Sequence, residues 1–162
     1  MERIGNLKRN ITLLALVSGL LFVSCSDDKE EMEPMSEIAM ISGTVAFNNI
    51  GARAFVFTAV TGSGIITNLN VENAPLQLKI GNRYQFINNA GAGHPFQILG
   101  NGNTILLSQN DVEGTFEKDV QVNYQVEGMN ITFTLTQNLA NQIAPYICGN
   151  HSSMSGSINA VN

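Results

Sequence analysis

The chain reads as an all-β protein, and three observations carry that expectation. Short β-branched and aromatic runs are closed by turn residues, and two neighbouring segments alternate apolar and polar positions with a period of two. The composition is rich in Gly, Asn and Thr, with 15 Gly, no Trp and only 13% charged residues. Such residues suit strands and tight connections better than helices. At 162 residues the chain has room for one domain and a leading segment.

The leading segment reads as export apparatus. Arg3, Lys8 and Arg9 form a basic start, and Ile11 to Val23 is an apolar run that ends at Ser24-Cys25. The run is short for a membrane span and has the layout of a secretory signal. A cysteine directly after it resembles the bacterial lipobox, although Phe22 and Val23 stand where a typical lipobox has Leu and a small residue. The resemblance implies a lipoprotein signal peptide over residues 1–24, lipidation of Cys25, and a membrane anchor in the cell envelope at the outer membrane. The competing reading is an uncleaved N-terminal anchor. Residues 25–37 include Ser26-Asp27-Asp28-Lys29-Glu30-Glu31-Met32-Glu33-Pro34, which lacks apolar periodicity and is expected to be an acidic flexible tether. Ser26-Asp27-Asp28 also resembles the surface-export signal of lipoproteins from the Bacteroidetes group; a plain charged spacer explains it equally well.

Residues 38–162 form the expected domain. Ile41 to Phe47 and Ala54 to Val60 read as strands, closed by Asn48-Asn49 and Gly62-Ser63-Gly64. Leu76, Leu78 and Ile80 alternate with polar residues, and Gly81-Asn82 turns the chain into Tyr84 to Ile87. Val120, Val122, Tyr124 and Val126 alternate, Glu127-Gly128 marks a turn, and Met129, Ile131, Phe133 and Leu135 alternate again. That sustained period predicts a hairpin. Gln137 to Ile143 has room for a short helix. Ala144 to Cys148 reads as a strand that places Tyr146 and Cys148 on one inward face, and Ser157 to Val161 as a last strand. Several short strands at this spacing predict a β-sandwich or barrel.

The chemistry concentrates near the C-terminus. Cys148, His151 and Met154 lie within seven positions, and the only other histidine is His94, in Ala90-Gly91-Ala92-Gly93-His94-Pro95-Phe96. Two His, one Cys and a weak axial Met are the ligand set of a mononuclear electron-transfer copper site. If Cys25 carries lipid, Cys148 is the only thiol left, and metal ligation explains a lone Cys in an exported protein. Taken singly, each residue has a plainer explanation: core packing for Met154, a turn role for His94, a small buried hydrophobe for Cys148. Zinc also takes Cys and His, but a structural zinc site wants a fourth strong donor, which Met is not.

These segments resemble the blue (type 1) copper proteins of the plastocyanin and azurin family, the cupredoxins. Asn88-Asn89-Ala90-Gly91 before His94 is similar to the plastocyanin segment leading to its first His ligand. Tyr146-x-Cys148-x-x-His151 is similar to the plastocyanin pattern, and the spacing from His151 to Met154 resembles that of amicyanin. The stretch Leu76 to Gly100 looks like bacterial plastocyanin-like domains that carry Gly-His-Pro-Phe, and the resemblance extends over roughly Ala54 to Val161. It implies a Greek-key β-sandwich holding one type 1 copper, with His94, Cys148 and His151 as equatorial ligands and Met154 as the axial one. Plastocyanin has Asn after its first His ligand. Pro95 stands there instead and has no N–H to give the thiolate.

The function expected is one-electron transport in the bacterial cell envelope, with a transient redox protein as partner. His151 would be the exit for the electron, surrounded by Pro95, Phe96, Ser152 and Ser153 as an uncharged docking surface. Copper delivery, or a structural surface module with an idle metal site, are the competing functions. Two histidines cannot build a polynuclear oxidase centre, so no enzyme activity is expected. Residues 38–162 carry six acidic and four basic side chains with no basic patch, which gives nucleic-acid binding no support.

Overall fold

The computed structural model describes residues 40–162. The expectations for the signal peptide, Cys25 and the acidic tether lie outside the described residues. The described residues form one compact unit.

Along the described residues the strands are β1 (Gly43–Ile50), β2 (Ala54–Gly62), β3 (Ile65–Thr67), β4 (Leu76–Lys79), β5 (Arg83–Asn88), β6 (Phe96–Gly100), β7 (Ile105–Ser108), β8 (Gln125–Glu127) and β9 (Asn130–Thr134). A one-turn helix α1 (Gln137–Ala140), capped by the Thr136 hydroxyl on Leu139 N, leads into β10 (Ile143–Cys148) and β11 (Ser155–Val161). The described residues form an all-β structure. One sheet has the order β2-β1-β5-β9-β8 and the other β3-β4-β11-β10-β6-β7. Both are mixed, since β1 runs parallel to β5 and β11 parallel to β4.

Alternation decides which face each strand buries. Val45 and Phe47 on β1, Tyr84 and Phe86 on β5, Ile131 and Phe133 on β9, and Tyr146 and Cys148 on β10 are all buried. The two inner faces meet through aromatic rings. Phe96 of β6 lies 5.0 Å from Phe47, 5.5 Å from Phe55 and 5.4 Å from Phe86, and stacks on Tyr146 at 5.3 Å. The Tyr146 hydroxyl donates to Ala74 O at 2.8 Å, which satisfies its one polar atom inside the core. Burial raises its pKa well above the ordinary phenol value. The ring sits over Gly156 of β11, where any Cβ would overlap the Tyr146 hydroxyl. The sequence therefore needs glycine on the strand that follows the candidate ligand loop.

The expected hairpin forms, with Glu127 opposite Asn130. Its first strand is shorter than the alternation from Val120 implies, because β8 begins only at Gln125. Turn chemistry wins over the pattern here. Asp119 Oδ1 accepts from Gln121 N, Asn123 N bonds to Asp119 O, and Asn123 adopts a φ of 46°. Arg83 stabilises this departure. Its buried guanidinium donates to Asn123 O, Thr134 Oγ1 and Gln125 Oε1, and burial lowers its pKa.

Candidate metal centre

Strand register places the thiol beside the loop that carries His94. Phe96 is the Cα partner of Cys148 across β6 and β10, and Gly149 N extends the ladder to Pro95 O at 2.9 Å. His94 precedes this pairing by one residue, so it is delivered to the end of β10 by sheet geometry rather than by chain proximity. The ligand loop then folds back through two successive turns. His151 N bonds to Cys148 O, Met154 N bonds to His151 O, and Cys148 N closes on Met154 O at 2.9 Å. These turns bring His151 back over Cys148.

Cys148 Sγ lies 3.5 Å from His151 Nδ1 and 3.9 Å from His94 Nδ1. The three donor atoms lie within 4.8 Å of one another, and the imidazole centroids are 4.7 Å apart. Metal bonds of about 2.0 Å to nitrogen and about 2.3 Å to sulfur, at tetrahedral to trigonal angles, hold N and S roughly 3.5–3.7 Å apart. The two measured separations bracket that range, so the three side chains could hold one metal ion with small adjustment. Burial first, and the neighbouring His151 second, lower the pKa of His94. Both favour the neutral ring, whose lone pair a metal requires. The structure thus brings together the three strong donors expected from the sequence. Met154 is fully buried in the same loop, where its backbone closes the turns and its side chain is part of the apolar core.

A second layer of residues holds this arrangement, and sequence reasoning had assigned it no role. Asn88, buried at the end of β5, accepts from Ala90 N at 2.8 Å and donates to His94 O at 2.9 Å, so one carboxamide spans the His94 loop. It also donates to Gln109 Oε1, which accepts from Phe96 N at 2.9 Å, while Gln109 Nε2 donates to Met129 O. Asn150 donates to Gly93 O at 3.0 Å and ties the ligand loop to the His94 loop. Ser153 Oγ donates to Ala52 O, and Asn73 donates to Ser153 O, anchoring the ligand loop to the turn after β1 and to the segment before β4. Asn49, near the end of β1, reaches His94 Nε2 at 3.1 Å. Asn88 and Asn49 each stand in an Asn-Asn pair, which is the one visible signal of their turn-forming chemistry.

The expected docking surface needs one correction. Pro95 and Phe96 are buried, Phe96 completely, because the pairing with Cys148 turns Phe96 into the aromatic core. In the two loops that carry His94 and half-buried His151, the exposed residues include Ala92, Gly93, Gly149, Asn150, Ser152 and Ser153.

No family model matches the chain, and no curated protein or solved structure matches it.

Proposed function

We propose that the chain is a mononuclear copper protein that carries single electrons in the bacterial cell envelope, built as a Greek-key sandwich of the blue copper family. The observation that carries this reading is the convergence of His94 Nδ1, Cys148 Sγ and His151 Nδ1 from two separate loops. Two imidazoles and one thiol, with a buried methionine three positions after His151, suit copper better than structural zinc. Bound copper would supply a one-electron couple whose potential depends on the axial ligand and on the surroundings of the sulfur.

The residues of the chain provide holding and exposure. Asn88 and Gln109 fix the path of the His94 loop before any metal arrives, and the turns from Cys148 to Met154 fix that of the second loop. A site preset in this way has little to rearrange when charge changes. His151 lies toward solvent among uncharged side chains, which suits a small, weak and brief encounter with a redox partner. Met154 would act as the axial ligand. Pro95 leaves the thiolate without the backbone donor expected at that position.

The test is the visible and electron paramagnetic resonance spectrum of the protein titrated with Cu(II), followed by kinetics. An intense thiolate charge-transfer band at one equivalent is expected; a colourless complex, or binding of zinc with no preference for copper, would remove the reading. Rapid electron exchange with a small redox partner is the expected kinetic result. Slow exchange together with ready loss of Cu(I) to a chelator would make copper delivery the function instead. Met154→Leu should keep the colour and shift the reduction potential, measured by voltammetry. As a near volume-conserving change it should cost less than about 1.5 kcal/mol of stability. An unchanged potential would leave Met154 a core residue only.

A further inference from the structure

Among the described residues, Asn49 is the one side chain that hydrogen-bonds the outer nitrogen of His94. Its amide nitrogen lies 3.1 Å from His94 Nε2 and donates to Gly51 O at 2.9 Å. The second contact fixes the orientation of the carboxamide, because turning Oδ1 toward Gly51 would oppose two carbonyl oxygens. The two amide hydrogens are then committed, one to Gly51 and one to His94. His94 Nε2 must accept, so in the metal-free protein the ring proton sits on Nδ1, on the side of Cys148. Ligation through Nδ1 requires the other tautomer. The Nε2–H would then face an NH2 group, donor against donor.

We propose that Asn49 is a positioning residue that works as a two-position latch, its carboxamide turning over when the site takes up metal. The inference rests on the metal reading above. In the metal-free position Asn49 donates to both Gly51 O and His94 Nε2. In the loaded position Oδ1 accepts from Nε2–H, the bond to Gly51 is given up, and the carboxamide has to swing away from Gly51 O so that the two oxygens do not face each other. The proton count on the imidazole does not change: the Nδ1 proton leaves to water and Nε2 takes one from water, while Cys148 releases its thiol proton on ligation. The turn between β1 and β2 is therefore coupled to metal occupancy. That turn already receives Ser153 Oγ from the ligand loop at Ala52 O, so both loops of the site report to it. Outer partners of a metal-bound imidazole ordinarily fix its tautomer in the ligating form. Here the partner is set for the opposite one, and the chain gives up one hydrogen bond on loading.

The experiment uses the isotopically labelled full-length chain, observed by long-range nitrogen–proton NMR without metal and with one equivalent of Cu(I). With only two histidines the spectrum is assignable. His94 should carry its proton on Nδ1 without metal and on Nε2 with it, and the Asn49 side-chain amide signals should move. Asn49→Asp, which can only accept when ionised, should hold His94 as the Nε2–H tautomer even without metal. It should also tighten Cu(I) binding about tenfold, the lower end of what such outer partners contribute. The latch is overturned if metal-free His94 already carries the proton on Nε2. It is equally overturned if the Asn49 signals stay fixed while those of Cys148 and His151 respond to Cu(I), or if Asn49→Asp binds no tighter. Silence from Cys148 and His151 would remove the copper reading itself, and the latch with it.

Discussion

Cys148→Ala should leave the protein colourless when titrated with Cu(II), a complete loss rather than a shift. Cys148 is the one thiol among the described residues, and its sulfur lies 3.5 and 3.9 Å from two imidazole nitrogens. Two histidines would remain, and they can still take copper weakly, but without a thiolate there is no charge-transfer band of comparable strength. The comparison is best made with Cys25→Ser present in both proteins, so that Cys148 is the only cysteine in the reference protein. Near-ultraviolet circular dichroism checks that the aromatic core is intact, since Cys148 is packed within it. Colour that survives in Cys148→Ala would show that the His/Cys/His cluster is not the copper site.

The parts of this architecture that depend on local pattern were legible in the sequence. Tyr146 and Cys148 share the inner face of β10 because they are two residues apart on a strand. The hairpin of β8 and β9 follows from alternation on both sides of Glu127-Gly128. Strands β6 and β7 left no such trace. Every residue of β6 is buried, so Phe96-Gln97-Ile98-Leu99-Gly100 shows no polar alternation to read. Gln97 faces away from the core, yet Ser108 and Asn110 take up its amide and remove it from water. The same register that hid β6 also misled the reading of Pro95 and Phe96 as surface.

The site divides along the same line. Its candidate donors were visible because the chain has only two Cys and two His, and Cys148 and His151 stand three positions apart. The residues that hold them were not, since Asn49 meets His94 across 45 positions and Gln109 meets Asn88 across 21. Those meetings depend on how β1, β5 and β6 are paired, which no local window contains. Asparagine and glutamine are also abundant throughout this chain, so composition could not single them out.

Phe96→Ala should be the most destabilising single change, by about 3–5 kcal/mol. Phe96 is fully buried, and its ring touches Phe47 and Phe55 from one edge of the first sheet, Phe86 from its centre, and Tyr146 from its own sheet. Truncation would open a cavity at the layer where both sheets meet, and rigid rings on four strands have little freedom to collapse into it. Against a total stability of about 5–15 kcal/mol, this is a large fraction, and it should lower the melting temperature by more than about 10 °C. The loss should reach the site as well. The pairing with Cys148 and the N–H that holds Gln109 belong to the backbone and survive the truncation, but both ride on β6, so a shift of that strand into the cavity displaces them together with Asn88, which Gln109 holds on the His94 loop. Thermal unfolding followed by near-ultraviolet circular dichroism gives the first quantity, with Phe96→Leu as a variant that refills much of the volume and should lose far less. Copper affinity at a temperature where both variants are folded gives the second. If Phe96→Ala melts within a few degrees of the parent, the ring is not the common contact of the two sheets. If it melts early but binds copper as the parent does, the site is held by its hydrogen bonds alone and does not depend on the core beneath it.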